Sequence, residues 1–149
     1  MRIWVDADAC PNAVKEILFR AAERCQVEVV LVANAPLRVP PSRFVRAIQV
    51  ERGFDVADSR IALEVRPDDI AITADVPLAA LVVERGASAL DPRGTLYTRE
   101  NVREHLDLRN FMTGLRDSGV QTSGPAPLSV ADRQAFAKQL DRLLVRASR

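Results

Sequence analysis

Near the start of the chain, residues 3–11 read IWVDADACP, an apolar run followed by two aspartates and a proline. The apolar residues predict a buried strand, and Pro11 suits the first turn of the helix that follows it. Burying a carboxylate costs free energy unless a partner compensates for it. Asp6 and Asp8 are therefore predicted either to cap the next helix or to hold a cation.

The same order of an apolar run and then a helix recurs along the chain. Further strands are predicted over residues 27–33, 44–50, 70–73 and 88–90. Helices are predicted between them except at residues 34–42, NAPLRVPPS, where three prolines predict a loop. Strands that alternate with helices are typical of the α/β class, in which the central sheet is mostly parallel. We predict about five strands with flanking helices, the last two helices packing on one flank.

The C-terminal third predicts two helices joined by a loop. The first runs from Thr98 to about Asp117, and residues 118–128, SGVQTSGPAPL, predict the loop. Ser129 and Asp132 form a capping box for the second helix. Four apolar side chains of the first helix are expected to point inward: Leu108, Phe111, Met112 and Leu115. The chain, residues 1–149, is predicted to be a single domain.

The composition is that of a soluble globular protein. Hydrophobic residues make up 48% and charged residues 28% of the chain, and the net charge is +1. No apolar run approaches the roughly 20 residues of a membrane helix, and the first residues lack the pattern of a signal peptide. Two cysteines and one histidine lack the spacing of a zinc site. A cytoplasmic protein without a membrane partner is expected, and its oligomeric state is left open.

Polar side chains, most of them acidic, follow the carboxyl ends of the predicted strands. In strand order they are Asp6 and Asp8, Asn34, Asp55 and Asp58, Asp75, and Asp91. Ligands bind at this edge of open parallel sheets, so the side chains are expected to converge there. Clustered carboxylates repel one another, and ligation by aspartate oxygens suits Mg²⁺ or Mn²⁺. The sequence thus predicts a site for one or two divalent ions.

Some of these aspartates have a structural alternative. Asp8, Asp55 and Asp91 stand where a helix cap or a turn residue is equally expected. Asp6 and Asp75 are harder to explain as caps, because each directly follows a buried strand. We therefore expect function to depend most on Asp6 and Asp75.

Three parts of the chain resemble PIN-like nucleases. Residues 72–79, ITADVPLA, resemble the T-x-D-x-x-L segment in which the aspartate binds metal, and Asp6 resembles the first aspartate of that family. Residues 53–58, GFDVAD, resemble the middle acidic segment of PIN-like and NYN-type domains. The ligand there is often a glutamate on a helix, whereas this chain offers both Asp55 and Asp58. The resemblance implies a three-layer PIN-like fold.

A closer resemblance extends over nearly the whole chain. The segments VDADACP, VAN, GFDVADS, ITADVPLA, ALDPRG and GPAPLSVADRQAF together are similar to the YaiI/YqxD family of uncharacterised bacterial proteins. That family has no settled activity. The resemblance therefore implies a PIN-like fold without establishing a nuclease.

The leading hypothesis is a Mg²⁺- or Mn²⁺-dependent hydrolase that acts on RNA phosphodiester bonds. The catalytic and metal-binding carboxylates would be Asp6, Asp75 and one of Asp55 or Asp58. A second ion or a water would be held by Asp8 or Asp91. The supporting residues would be Thr73 and Asn34 beside the ligands, and Arg38, Arg43 and Arg93 on the substrate phosphate.

Two other functions are left open. Haloacid-dehalogenase-like phosphatases also begin with an apolar strand that ends in DxD, and residues 70–73, IAIT, resemble their second motif. Those enzymes need a lysine after that strand, and none lies between Thr73 and the terminal helix. The third hypothesis is a module whose acidic edge binds a metal, a nucleotide or a partner protein without turnover.

Overall fold

The computed structural model describes residues 1–53, 56–117, 119 and 127–147. Its strands are β1 (Arg2–Asp6), β2 (Glu28–Ala33), β3 (Val45–Gln49), β4 (Ile70–Ile72), β5 (Ser88–Leu90) and β6 (Leu96–Tyr97). Its α-helices are α1 (Asn12–Cys25), α2 (Val56–Glu64), α3 (Val76–Glu84), α4 (Val102–Asp117) and α5 (Val130–Ala147), and Ala7–Ala9 form a short 3-10 helix after β1. No helix in the described ranges has both the length and the apolar character needed to cross a bilayer.

The strands form one sheet in the order β3-β2-β1-β4-β5-β6. All neighbours are parallel except β5 and β6, which are antiparallel. The predicted α/β class with a mostly parallel sheet is therefore confirmed. The additional strand, β6, was not predicted because two residues are too few to produce a recognisable pattern.

The chain changes direction across the sheet between β1 and β4. It passes from β1 outward to β2 and β3, and then returns to place β4 on the other side of β1. Each crossover between parallel strands passes over a face of the sheet, which is why helices cover both faces. The two strands at the point of reversal are β1, which ends at Asp6, and β4, which is followed by Asp75.

Side chains alternate between two apolar cores along each strand. On β1, Ile3 and Val5 pack with α1 and α5 on one face, and Trp4 packs with α2 and α3 on the other. The three side chains are almost completely buried. Helices on both faces of the sheet make the three layers that were expected.

The two C-terminal helices lie on different faces, so the prediction that they share one flank is wrong. Helix α5 packs on the face that α1 covers, where Phe136 is fully buried, whereas α4 contacts α3 on the opposite face. The predicted loop between them, residues 118–128, lies largely outside the described residues. Helix pairing depends on which sheet face each connection crosses, and local sequence does not specify this.

The inward orientation predicted for α4 is also wrong for two side chains. Leu108 is 59% exposed and Phe111 is 62% exposed, while Met112 and Leu115 are partly exposed. Helix α4 contacts α3, and Val102 at its start packs on the core. Apolar periodicity identifies the stripe of a helix but not whether another element covers it.

Helix α5 depends on a close approach at Gly94. This residue has φ +97°, and a Cβ added to it would lie 2.7 Å from the carbonyl carbon of Ala135 in α5. We expect Gly94→Ala to lower the free energy of unfolding by about 2 kcal/mol or more, because both the backbone angle and the packing oppose a side chain. Denaturant unfolding measures this loss.

Gly114→Ala in α4 is the matched control for this substitution. A Cβ at Gly114 would have no atom within 4 Å, and alanine favours a helix interior over glycine. We expect the control to be neutral or slightly more stable. Equal stability of the two variants would show that the contact between the Gly94 turn and α5 is looser than the structure implies.

Candidate acidic site

The candidate site lies where β1 and β4 end side by side. Asp6 is the last residue of β1, and Asp75 follows β4 and directly precedes α3. The strand order reverses between these two strands, and open α/β sheets bind ligands at the carboxyl ends of the strands at such a point. Two of the predicted site residues, 69 positions apart in sequence, therefore meet at one place in the fold.

Thr73 connects the two aspartates. Its buried hydroxyl donates a hydrogen bond to Oδ2 of Asp6 at 3.2 Å and accepts one from the backbone N–H of Asp75 at 3.0 Å. The sequence predicted Thr73 as a residue that supports a metal-binding carboxylate, and the structure shows its hydrogen bond to Asp6. The two bonds fix the ends of β1 and β4 relative to each other.

Asp75 is also the N-cap of α3. Its Oδ1 accepts a hydrogen bond from the backbone N–H of Leu78 at 3.0 Å, and Pro77 stands in the first turn of the helix. The expectation that Asp75 is hard to explain as a cap is therefore wrong. The cap uses one carboxylate oxygen and leaves Oδ2 outside that bond.

Asp6 has no such role. It occupies the N-cap position of the short 3-10 helix without making a capping hydrogen bond, and its side chain is buried. Burial raises the pKa of the Asp6 carboxyl, and the nearby charges of Asp75 and Asp8 raise it further against the lowering effect of the Thr73 hydroxyl. Asp6 is thus a buried acid surrounded by like charges.

Asp8 and Asn34 meet at the end of β2. The backbone N–H of Asn34 donates to Oδ2 of the exposed Asp8 at 2.9 Å. The side-chain oxygen of Asn34, Oδ1, is buried and has no hydrogen-bond partner in the structure. A buried oxygen without a donor is uncommon, and a bound cation or water is one way of satisfying it.

Asp91 stabilises a turn, one of the two roles that the sequence left open for it. Its Oδ1 accepts from the backbone N–H of Arg93 at 2.7 Å, and the hydroxyl of Tyr97 donates a long hydrogen bond to Oδ2 at 3.4 Å. Burial raises the pKa of Asp91. The sequence did not single out Tyr97. Burial and the charge of Asp91 raise the pKa of Tyr97 to about 12, and the charge of Asp75 adds a smaller effect.

Of the two remaining candidate carboxylates, Asp58 and Asp55, only Asp58 belongs to the described residues. Asp58, in the first turn of α2, lines a groove together with Asp75, whereas Asp55 lies outside the described residues. No group of three or more His, Cys, Asp or Glu side chains in the described ranges is placed to hold a metal ion. The acidic edge therefore offers a small set of oxygen donors rather than a complete cage.

The three predicted phosphate-binding arginines have different surroundings in the structure. Arg93 forms an ion pair with Asp132 of α5 at 2.7 Å. Arg43 stacks over the ring of Phe44, just before β3, and therefore lies at the amino edge of the parallel sheet. Arg38 is exposed in the segment between β2 and β3.

An Asp6→Asn variant is expected to unfold at a temperature about 2–5 °C higher than the native chain at neutral pH without divalent cations. The amide still accepts the Thr73 hydrogen bond but removes the repelled charge. Folding raises the pKa of Asp6, so protonation of Asp6 at low pH stabilises the folded native chain. The native chain loses that stabilisation as pH rises from the pKa of Asp6 in the unfolded chain through its pKa in the folded chain.

Thermal unfolding of both proteins between pH 4 and pH 8 in a chelator measures the difference. The gap in midpoint is expected to be widest at neutral pH and to shrink towards acid pH. A variant that is less stable than the native chain at neutral pH would contradict the assigned repulsion.

Sequence comparisons agree with the family resemblance along the chain. Residues 4–146 match the family described as uncharacterised BCR, YaiI/YqxD. A UPF0178 protein of Dechloromonas aromatica is 62% identical over 146 residues, covering 98% of this chain and 97% of the relative. A UPF0178 protein of Hahella chejuensis is 56% identical over 149 residues, covering 100% and 99%. No solved structure matches the chain. Because both the family match and these identities span nearly the full length, the chain belongs to the YaiI/YqxD family.

Proposed function

We propose that the acidic edge binds one or two Mg²⁺ or Mn²⁺ ions and that the protein hydrolyses RNA phosphodiester bonds there. The observation that carries the proposal is the pair of Asp6 and Asp75, joined through Thr73 where the strand order reverses. Asp6 lacks a capping role, and it is kept buried beside other carboxylates. Repulsion among these carboxylates destabilises the free protein, and a bound cation would offset that repulsion.

The donors present fit a hard divalent ion in their chemistry. Carboxylate oxygens of Asp6, Asp8 and Asp75 and the unpartnered Oδ1 of Asn34 are all oxygen ligands, which Mg²⁺ and Mn²⁺ prefer. Magnesium is commonly bound by one or two carboxylates, with water and substrate phosphates completing its shell. An incomplete set of protein ligands is therefore compatible with a site that takes part of its coordination from the substrate.

Each residue at the acidic site has a defined role in this proposal. A bound ion would activate water and neutralise charge on the phosphoryl group. Asp6 and Asp75 would hold it, and Thr73 would keep Asp6 in one orientation by donating its hydroxyl hydrogen. The cap to Leu78 would hold Asp75 at the start of α3. RNA as the substrate class rests on the likeness of ITADVPLA to the PIN-like segment.

A second function is favoured by one observation. The described residues contain no three-membered group of metal-ligating side chains. A protein that binds a nucleotide or a single cation without turnover needs no more than this. Under this alternative the acidic edge would bind Mn²⁺ weakly and the protein would cut no substrate.

The test is cleavage of single-stranded RNA, structured RNA and DNA in Mn²⁺, in Mg²⁺ and in a chelator. The native chain and Asp75→Asn are purified identically and assayed side by side. Metal-dependent cutting by the native chain that disappears in the variant supports the proposed hydrolase and ranks the substrates. Equal cutting by both proteins, or none, overturns the proposal, and calorimetry with Mn²⁺ then tests the binding alternative.

A further inference from the structure

A groove borders the acidic edge between three helices. Its volume is about 620 Å³, within the range of about 300–1,000 Å³ that is typical of small-ligand sites. The walls come from α2, α3 and α4, and the residues that matter here are Asp58, Leu63, Asp75, Pro77, Leu81 and Arg109. We call it the α2–α4 groove. Asp75 belongs both to this groove and to the pair with Asp6.

We infer that the α2–α4 groove binds one nucleotide of a single-stranded nucleic acid, next to the phosphate at the acidic edge. The inference rests on the proposed function, because it assumes that a phosphodiester reaches Asp75. It goes further by assigning a binding surface, a strand type and two side chains to the substrate. The groove offers such a ligand an apolar wall and a guanidinium.

The apolar wall suits the flat face of a base. Leu63 is 73% exposed and Leu81 is 49% exposed, and Pro77 lies beside them in the groove. Large apolar side chains that stay exposed around a concavity mark a binding surface. The faces of bases are apolar and are hidden by stacking in a duplex, so a nucleic acid can cover this wall only with an unstacked base.

One cationic side chain among the lining residues can bind an anion. Asp58 and Asp75 contribute negative charge, and Arg109 on α4 contributes a guanidinium. Within the part of the chain that the structure describes, Arg109 has no ion-pair partner, whereas Arg103 of the same helix pairs with Asp107. An arginine without a carboxylate partner is free to bind a phosphate with two hydrogen bonds.

These features together fit a nucleotide better than an apolar peptide. An apolar peptide that covered Leu63 and Leu81 would leave the guanidinium of Arg109 without an ion-pair partner, and desolvating an unpaired charge is unfavourable. A nucleotide chain supplies an apolar ring for the wall and a phosphate for Arg109. Its next phosphate would face Asp75, where a cation would offset the repulsion between anions.

The experiment measures binding separately from cleavage. Fluorescence anisotropy of a labelled oligouridylate, single-stranded or annealed to its complement, is followed in Ca²⁺ with the full chain. The variants are Arg109→Ala and Leu81→Gln, and their matched controls are Arg103→Ala and Leu108→Gln on exposed positions that do not line the groove. Circular dichroism checks that all four variants fold.

We expect Arg109→Ala and Leu81→Gln each to weaken single-strand binding by about tenfold, with both controls within about twofold of the native chain. The duplex is expected to bind more weakly than the single strand. Equal losses in Arg109→Ala and Arg103→Ala, a duplex that binds as tightly, or an absence of binding would each overturn the inference.

The failure of this inference is distinguishable from the failure of the proposed function. Cleavage that depends on Asp75 but is unchanged by Arg109→Ala and Leu81→Gln would overturn the groove and leave the hydrolase standing. Groove-dependent binding without cleavage in any metal would support the groove and overturn the hydrolase. The two measurements therefore test separate statements about neighbouring surfaces.

Discussion

Metal-dependent RNA cleavage is expected to fall by roughly 100-fold or more when Asp75 is replaced by asparagine, because the substitution removes a charge that would hold the cation. The fold is expected to survive. The amide oxygen of asparagine can still accept the hydrogen bond from the N–H of Leu78, which is 3.0 Å in the native chain, and asparagine is as good an N-cap as aspartate. The backbone bond to Thr73 is also untouched.

Initial cleavage rates in Mn²⁺ measure the loss, and a Mn²⁺ titration by calorimetry measures the cation affinity of both proteins. Asp107→Asn is the matched control, because it removes an exposed charge on α4 that is already paired with Arg103. The control is expected to cut at the native rate. A variant Asp75→Asn that binds Mn²⁺ as tightly as the native chain would remove Asp75 from the list of ligands.

Asp69→Ala is expected to lower the free energy of unfolding by about 3 kcal/mol or more. Its buried carboxylate accepts hydrogen bonds from the backbone N–H of Arg2 at 2.9 Å, from Nε1 of Trp4 at 3.1 Å and from the backbone N–H of Arg66 at 3.0 Å. Alanine would leave these donors without an acceptor and would open a space beside Trp4. The carboxylate ties β1 to the turn before β4 at the amino edge of the sheet.

Urea unfolding followed by the fluorescence of Trp4, the chain's tryptophan, measures this loss. Asp69→Asn is expected to fall between the native chain and Asp69→Ala, since its amide nitrogen takes the place of one carboxylate oxygen and cannot accept a hydrogen bond there. Asp68→Asn is the control, because Asp68 is exposed and asparagine tolerates its φ of +74°. Similar losses in Asp68→Asn and Asp69→Asn would contradict the special role of the buried carboxylate.

The two aspartates of this turn illustrate what sequence patterns can and cannot predict. Pro67, Asp68 and Asp69 predict a turn, and the structure has one there, but nothing local distinguishes the exposed carboxylate from the buried one. The partner of Asp69 is an indole 65 residues away. Asp75 is the opposite case. Pro77 in the first turn of α3 is a local signal that Asp75 caps that helix, but the sequence prediction favoured a functional role instead.

Apart from the two-residue strand β6, the order of strands and helices, the parallel sheet and the strand ends that carry acidic residues were predictable from the sequence. These features depend on apolar periodicity and turn residues within a few positions, as at Ser88–Leu90, where the predicted and observed strands coincide. The candidate site depends instead on which strands become neighbours. Thr73 reaches Asp6 across 67 residues, and Arg109 lines the same groove as Asp75 because α4 packs against α3 rather than beside α5. Such contacts arise from the packing of whole elements, so only the folded chain specifies them.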